Sequence, residues 1–270
     1  MTDVNALPHR SAAAPASTQV FGTDGIRPLQ RPGLIARTFL AMVARVERLN
    51  LQYSKVGNPC VYDNATFPWA AAIESEWPII REELSAVLAR KDELPSFQQI
   101  STDVATITQD QGWKTFLFSA FGVKSKKNIE MCPQTWRVLQ KVPRLQAAMF
   151  SVFEPGKHLP AHRGPYNGVL RLHLGLVVPE PRQQVAIRVG EKVCHWEEGR
   201  VLIFDDAYEH EAWNRTDSVR VVLFVDFRKP LRFPASFLNW LVLNLAVFTP
   251  FIQEGHDRHR AWEQQFRSSS

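Results

Sequence analysis

The sequence is short of cysteine: Cys60, Cys132 and Cys194 are odd in number and far apart in a chain of 270 residues. That argues against a disulfide framework and fits free thiols in a reducing compartment, each a small buried hydrophobe by default. Charge of one sign is scarce too, since 32 Lys and Arg against 27 Asp and Glu leave a formal +5. So small an excess, without an arginine-rich arm, zinc-finger spacing or RNA-binding aromatic motif, points away from nucleic acid and is compatible with anionic substrates or a membrane surface. The N-terminus lacks the basic-then-apolar pattern of a secretory signal, and no glycine loop is built to cradle phosphate. Nor is there a clear membrane span, because the apolar run after Pro234 is broken by Asn239 and Asn244 and closes at Pro250. A helix docked on the core or on a second subunit, a helix lying in the membrane plane and a true span are the three readings of this segment. The expected placement is cytoplasmic, with the inner face of a membrane and a homodimer as open associations.

What is present is enough for one substantial core, 45% of the residues being apolar. Residues 1–30 are rich in Ala, Pro, Ser and Gly and read as a disordered leader. A single domain is expected over 31–230, followed by an apolar helix and polar tail over 231–270; His256 and His259 in that tail are weak ligand candidates. Leu34 to Leu49 reads as an amphipathic helix that packs on the core or, as the second reading, rests on a membrane surface. Helix formers predominate from Trp69 to about Lys91, where Pro78 begins the main helix or kinks a longer one. Residues 93 to 110 read as irregular, GWKTFLFSAFG as a strand, and Cys132 to Val142 as a short helix. Gly112 and Trp113 read as scaffold. From Leu145 the chain turns to short strands, at Leu145–Phe153, Val169–Val178, Gln184–Val189, Lys192–Trp196, Arg200–Phe204 and Val219–Phe227. Their spacing leaves no room for crossover helices, so an antiparallel sandwich or barrel is expected, mainly β with flanking helices.

Within this half, residues 151–176 alternate polar and apolar side chains. From Val169 on, Arg171, His173 and Gly175 should face one side and Leu170, Leu172, Leu174 and Leu176 the other. Buried cations need anions, metals or water, so the polar side must find partners. His162 and His210 lie beside strand ends in the same half, and two converging ring nitrogens suit a borderline transition metal, although hydrogen-bonded structural histidines would look alike. Arg220 follows on the strand VRVVLFVDF, where its planar fork could clamp a carboxylate or pair internally with Asp226. An oxygenase with a dicarboxylate cosubstrate needs such a set: open metal positions for chelation and oxygen, and cationic donors that hold the carboxylates.

The segments FSVFEPGKHLPAHRGPYNGVLRLHLGLVVP, CHWEEGRVLIFDDAYEHEAWN and VRVVLFVDF, with 48 residues from His162 to His210, closely resemble the aspartyl/asparaginyl beta-hydroxylase family of iron and 2-oxoglutarate dependent oxygenases. The resemblance runs from about Phe116 to Phe227. It implies a double-stranded β-helix (jelly-roll, cupin-like) core over about 145–228. It also implies Fe(II) held by His162 and His210, and 2-oxoglutarate with its distal carboxylate on Arg220 and Ser151 and its other carboxylate near Arg171 and His173. The reaction implied is hydroxylation of an unactivated carbon with O2, giving succinate and carbon dioxide. Gly164 stands where many related oxygenases carry a metal-binding Asp or Glu. Water would then complete the shell, as in the animal hydroxylases, or Asp205, Asp206 or Glu209 would fold in. Two branches compete for the substrate. Gly164 favours an aspartyl/asparaginyl side chain in a peptide or amino-acid-like molecule, the preferred expectation. HRGPYNGVLR, GWKTF, CPQT and the apolar C-terminal helix also resemble bacterial hydroxylases of the lipid A acyl chain. A cupin-like binding module without turnover is the non-enzymatic alternative.

Overall fold

The computed structural model describes residues 34–246 apart from Ser101, together with Arg258. The expected leader, His256, His259 and the rest of the polar tail lie outside the described residues. The chain divides into two units between Leu40 and Ala41; the packing set out below belongs to the second.

The helices are α1 (Leu34–Gln52), α2 (Ala70–Glu74), α3 (Trp77–Leu88), α4 (Phe97–Ile100), α5 (Thr102–Ile107), α6 (Lys126–Met131), α7 (Pro133–Leu139) and α8 (Ala235–Ala246). The strands begin with β1 (Val61–Tyr62), β2 (Trp113–Ala120), β3 (Val123–Lys124), β4 (Leu145–Phe153), β5 (His158–His162) and β6 (Val169–Val177). They continue with β7 (Val185–Val189), β8 (Lys192–Cys194), β9 (Val201–Phe204), β10 (His210–Asn214) and β11 (Arg220–Arg228).

Local chemistry explains several boundaries. Pro78 sits in the first turn of α3, where its missing N–H costs nothing, and Ile80, Leu84 and Val87 form the buried stripe. The Glu83 carboxylate on that helix accepts from the Gln134 and Thr135 amides at 2.8 and 2.7 Å, capping α7 from outside. Ser125 caps α6 by accepting from the Asn128 amide.

The strands form two antiparallel sheets, one in the order β1-β9-β6-β11-β4-β2-β3 and the other in the order β5-β10-β7-β8. No hydrogen-bonded ladder joins them among the described residues. The expected closed double-stranded β-helix is therefore corrected to a mixed α/β fold with two open sheets and substantial helix. The physical reason lies in what covers the larger sheet. Its Leu170, Leu172, Leu174 and Leu176 face a core completed by Ile73, Ile80, Leu84, Val138 and Leu139 from α2, α3 and α7. Its other face packs on the smaller sheet through Phe153, Phe204, Val222 and Phe224 against Leu159, Val185, Ile187 and Ala212. With one face under helices and the other on a separate sheet, both apolar surfaces are buried without closing the ladder.

The named strands of the second half fall within a residue or two of their expected places. Residues 93 to 110 do not stay irregular, since α4 and α5 occupy much of them. β5 and β10 were not anticipated as strands; proline and paired acids on either side made them resemble turns.

Candidate functional site

β5 and β10 pair antiparallel with His162 directly opposite His210, and the register slips just after His210. The two rings lie with centroids 4.2 Å apart and planes at 55°. His162 Nδ1 is 2.7 Å from the Pro160 carbonyl and His210 Nδ1 is 2.9 Å from the Tyr208 carbonyl. In the neutral ring each Nδ1–H donates to its carbonyl, which leaves both Nε2 lone pairs for another partner. Burial depresses both pKa values; for His210, which falls to about 3, the neighbouring His162 and Arg171 push the same way. Both imidazoles are thus in the ligating form at neutral pH.

Arg220 opens β11 and is fully buried. Its guanidinium lies 3.7 Å from the centre of the Phe153 ring and 4.5 Å from that of Trp196, a sandwich that orients a planar cation. Its Nη1 reaches the Ser151 carbonyl only at 3.4 Å, and its Nε has no partner among the described residues. Burial pushes its pKa down to about 9. The internal pair with Asp226 does not form, because Asp226 binds Arg171 instead. Beside Arg220, Ser151 Oγ accepts from Trp113 Nε1 at 3.0 Å, so its own hydroxyl proton can be donated elsewhere. His173 Nδ1 accepts from Trp196 Nε1 at 3.3 Å, which puts the proton of the neutral ring on Nε2, a buried atom with no partner among the described residues. Burial, then Arg220, Arg171 and His210, hold His173 far below its usual pKa.

Arg171 behaves differently from Arg220. Its Nε and Nη2 form a bidentate pair with Asp226 at 2.8 and 3.0 Å, and Nη2 also lies 2.9 Å from Asp206 Oδ2. The guanidinium stacks 4.1 Å over Phe224. It reaches the cavity, but its fork is committed to protein carboxylates rather than held open as a clamp. Of the three acids near His210, Asp205 pairs with buried Lys229 at 2.8 Å and Glu209 with Arg188 at 3.1 Å. Asp206 alone turns toward Gly164, whose amide donates to the Asp206 carbonyl at 2.7 Å. Burial raises the Asp206 carboxyl to about 7 against the lowering effect of Arg171, with Asp226 and Asp205 adding to the rise.

All six expected residues, Ser151, His162, Arg171, His173, His210 and Arg220, line one cavity. Its other walls are Trp113, Phe153, Leu159, Ile187, Trp196, Phe204, Ala212 and Phe224. Trp113, read from sequence as scaffold, is both scaffold and wall. Phe224 shares its strand face with Arg220 by period two, a signal the sequence offered; nothing in the sequence singled out Trp196. The three cysteines are free and lie outside the cavity. Among the described residues no group of three or more His, Cys, Asp or Glu is arranged to hold a metal ion. Two neutral imidazoles with free Nε2 atoms do fit a borderline divalent ion whose other positions go to oxygen donors. The uncompensated Arg220 with the His173 and Ser151 donors fits a small dicarboxylate.

Residues 74–230 match the aspartyl/asparaginyl beta-hydroxylase family. An ornithine lipid ester-linked acyl 2-hydroxylase of Rhizobium tropici is 64% identical over 256 residues, covering 95% of this chain and 91% of that protein. An aspartyl/asparaginyl beta-hydroxylase of Homo sapiens is 33% identical over 164 residues, covering 59% of this chain and 21% of that protein. Among solved structures, a Pseudomonas putida prolyl-4-hydroxylase is 17% identical with a TM-score of 0.39, covering 57% of this chain and 87% of that one.

Proposed function

The chain belongs to the aspartyl/asparaginyl beta-hydroxylase family, and on that premise we propose an Fe(II) and 2-oxoglutarate dependent hydroxylase acting on the acyl chain of a membrane lipid. The observation that carries the chemistry is the shared cavity, in which two neutral histidines face the same space as a buried arginine that has no carboxylate partner among the described residues. His162 and His210 would hold the iron, and Arg220 with Ser151 would take the distal carboxylate of the cosubstrate. The His173 Nε2–H is a further donor on the same wall. Arg171 acts one step removed, fixing Asp206 beside Gly164 while its own charge is balanced by Asp226. When bound, iron with 2-oxoglutarate and O2 supplies an oxidation that replaces one C–H by C–OH and yields succinate and carbon dioxide. The protein's part is to bind, orient and exclude water.

For the substrate, the lipid branch displaces the aspartyl/asparaginyl branch that the sequence favoured. The long match to the ornithine lipid hydroxylase, 64% identical over 95% of this chain, outweighs the 33% match over 59% to the human protein. The cavity agrees. An aspartyl substrate brings its own carboxylate, yet Arg171 is committed to Asp206 and Asp226, and Arg220 is needed for the cosubstrate. Its remaining walls are largely apolar, as an acyl chain requires. Gly164, the sequence marker for the aspartyl branch, is accounted for by the nearness of Asp206 and carries no weight for substrate. The substrate class is thus a lipid of the ornithine-lipid kind, hydroxylated at carbon 2 of its ester-linked chain.

The test is aerobic incubation with Fe(II), 2-oxoglutarate and detergent-dispersed ornithine lipid, with aspartyl and asparaginyl peptides in parallel. Expected are succinate and one added oxygen on the ester-linked chain, both lost in His162→Ala. Oxygen added only to a peptide would overturn the lipid reading. Binding of metal and cosubstrate without succinate above the His162→Ala background would leave a cupin-like binding module instead.

A further inference from the structure

Helix α8 is apolar on two faces. Ala235, Asn239, Val242 and Leu243 form the buried one, which packs with Val43 and Val46 of α1 and with Tyr166 and Val169. The other carries Phe237 and Trp240, 53% and 43% exposed, with their rings stacked at 5.8 Å between centroids. Leu245 is exposed as well, and Phe233, just ahead of the helix, is 79% exposed. The helix has no charged residue, and its exposed Asn244 turns its amide back to the Trp240 carbonyl at 2.7 Å. A helix greasy all round belongs in a protein interior or against lipid.

The flanking charges say which. Arg45, Arg48, Lys55 and Arg232 are exposed, and none makes an ion pair among the described residues. Arg232 donates from Nη1 to the Ser54 carbonyl at 3.3 Å, which ties the start of α8 to the end of α1. The acid of this α1 stretch, Glu47, is half-buried and accepts from the Asn167 amide. Stacked aromatics on a helix with Arg232 and Lys55 at its start, and with Arg45 and Arg48 exposed on the α1 helix that packs beside it, match an interface with an apolar interior and anionic headgroups. No described helix is long and apolar enough to cross a membrane, so the contact would lie in the plane of the surface.

We propose that the outer face of α8 docks on an anionic lipid bilayer, with Phe233, Phe237 and Trp240 entering the interface and the four basic residues meeting the phosphates. This deepens the lipid reading above and rests on it for its biological purpose. The position is apt because the buried face of the same helix holds the chain that follows His162. Asn239 Nδ2 donates to the Gly168 carbonyl at 2.8 Å, and Tyr166 Oη donates to Asn239 Oδ1 at 2.9 Å. Asn50 Nδ2 adds bonds to Tyr166 Oη and Asn167 Oδ1 at 3.2 and 3.0 Å. A helix resting on the bilayer therefore also fixes residues 166–168, a few positions beyond the proposed metal ligand.

The experiment is co-sedimentation of the full chain with phosphatidylcholine vesicles, with and without phosphatidylglycerol and free of any hydroxylatable aminolipid. Wild type should partition to the anionic vesicles roughly tenfold or more above the neutral ones, given the per-residue attraction of basic side chains to such surfaces. Phe237→Ser with Trp240→Ser should lose that binding, and Arg45→Gln with Arg48→Gln should weaken it and its dependence on salt. Turnover of detergent-dispersed lipid should survive in both variants, because none of these residues lines the cavity. Equal partitioning of wild type and both variants would overturn the proposal. So would light scattering that finds a dimer dissolved by the two serines, since the face would then meet a second copy. Vesicle binding that persists without lipid turnover would sink the substrate reading and leave docking intact. Detergent turnover without vesicle binding would do the reverse.

Discussion

A β-carbon on Gly164 would stand 2.3 Å from Asp206 Oδ2 and 2.5 Å from its Cγ. The carboxylate thus fills the space where a side chain at 164 would begin, so glycine is required by packing. Gly164→Ala should destabilise by about 1–3 kcal/mol, the usual cost of overpacking a tight site. Most of that cost should vanish in Gly164→Ala with Asp206→Gly. Thermal unfolding of the four proteins of this cycle measures the coupling, and strictly additive losses would show that the two residues do not compete for space.

Arg220→Met should weaken 2-oxoglutarate binding by roughly thirtyfold or more, the cost of deleting a buried charged partner. Its effect on the free protein should have the opposite sign. Arg220 is buried with an unsatisfied Nε and a depressed pKa, so an apolar replacement should raise the melting temperature without cosubstrate. Calorimetric titration and a melt on the same sample test both. Unchanged affinity with a lowered melting point would make Arg220 a structural residue only.

Trp196→Phe keeps a ring over Arg220 and removes the indole N–H that His173 Nδ1 accepts. One neutral hydrogen bond is worth about 0.5–1.5 kcal/mol, so 2-oxoglutarate should bind roughly three- to tenfold more weakly. Nitrogen NMR of labelled histidine should show His173 shifting from a single Nε2–H tautomer to a mixture. An unchanged tautomer would mean that the indole does not set it.

The metal-free protein should lose stability as pH falls from about 6.5. His210 titrates at 6.5 when free and at about 3 when folded, so between these values the unfolded chain binds the extra proton. Its contribution is fully present above the upper value and declines by about 1.4 kcal/mol per pH unit through the window. Urea midpoints in chelator should therefore fall less steeply with acid in His210→Asn than in wild type. Superimposable pH profiles would refute the buried neutral ring.

Much of the site was legible along the chain because strand alternation is a local property. Arg171 and His173 on one face, with Leu170, Leu172 and Leu174 on the other, follow from period two, and the leucines do form the helix-covered core. Asp226 illustrates the limit. Sequence placed it near enough to pair with Arg220, yet six residues of extended β11 hold the two apart along one face, and the β6 register sets Arg171 directly opposite Asp226.

The sequence by itself determined the family, the antiparallel character of the second half and the six polar residues that meet. Motif order and side-chain period survive without knowledge of distant contacts. Only the tertiary structure decided that His162 stands opposite His210, that among the described residues Arg220 has no carboxylate while Arg171 has two, and that the sheets stay open beneath a helical layer. Register, counter-ion choice and sheet closure depend on which distant surfaces pack together, and no local pattern records that.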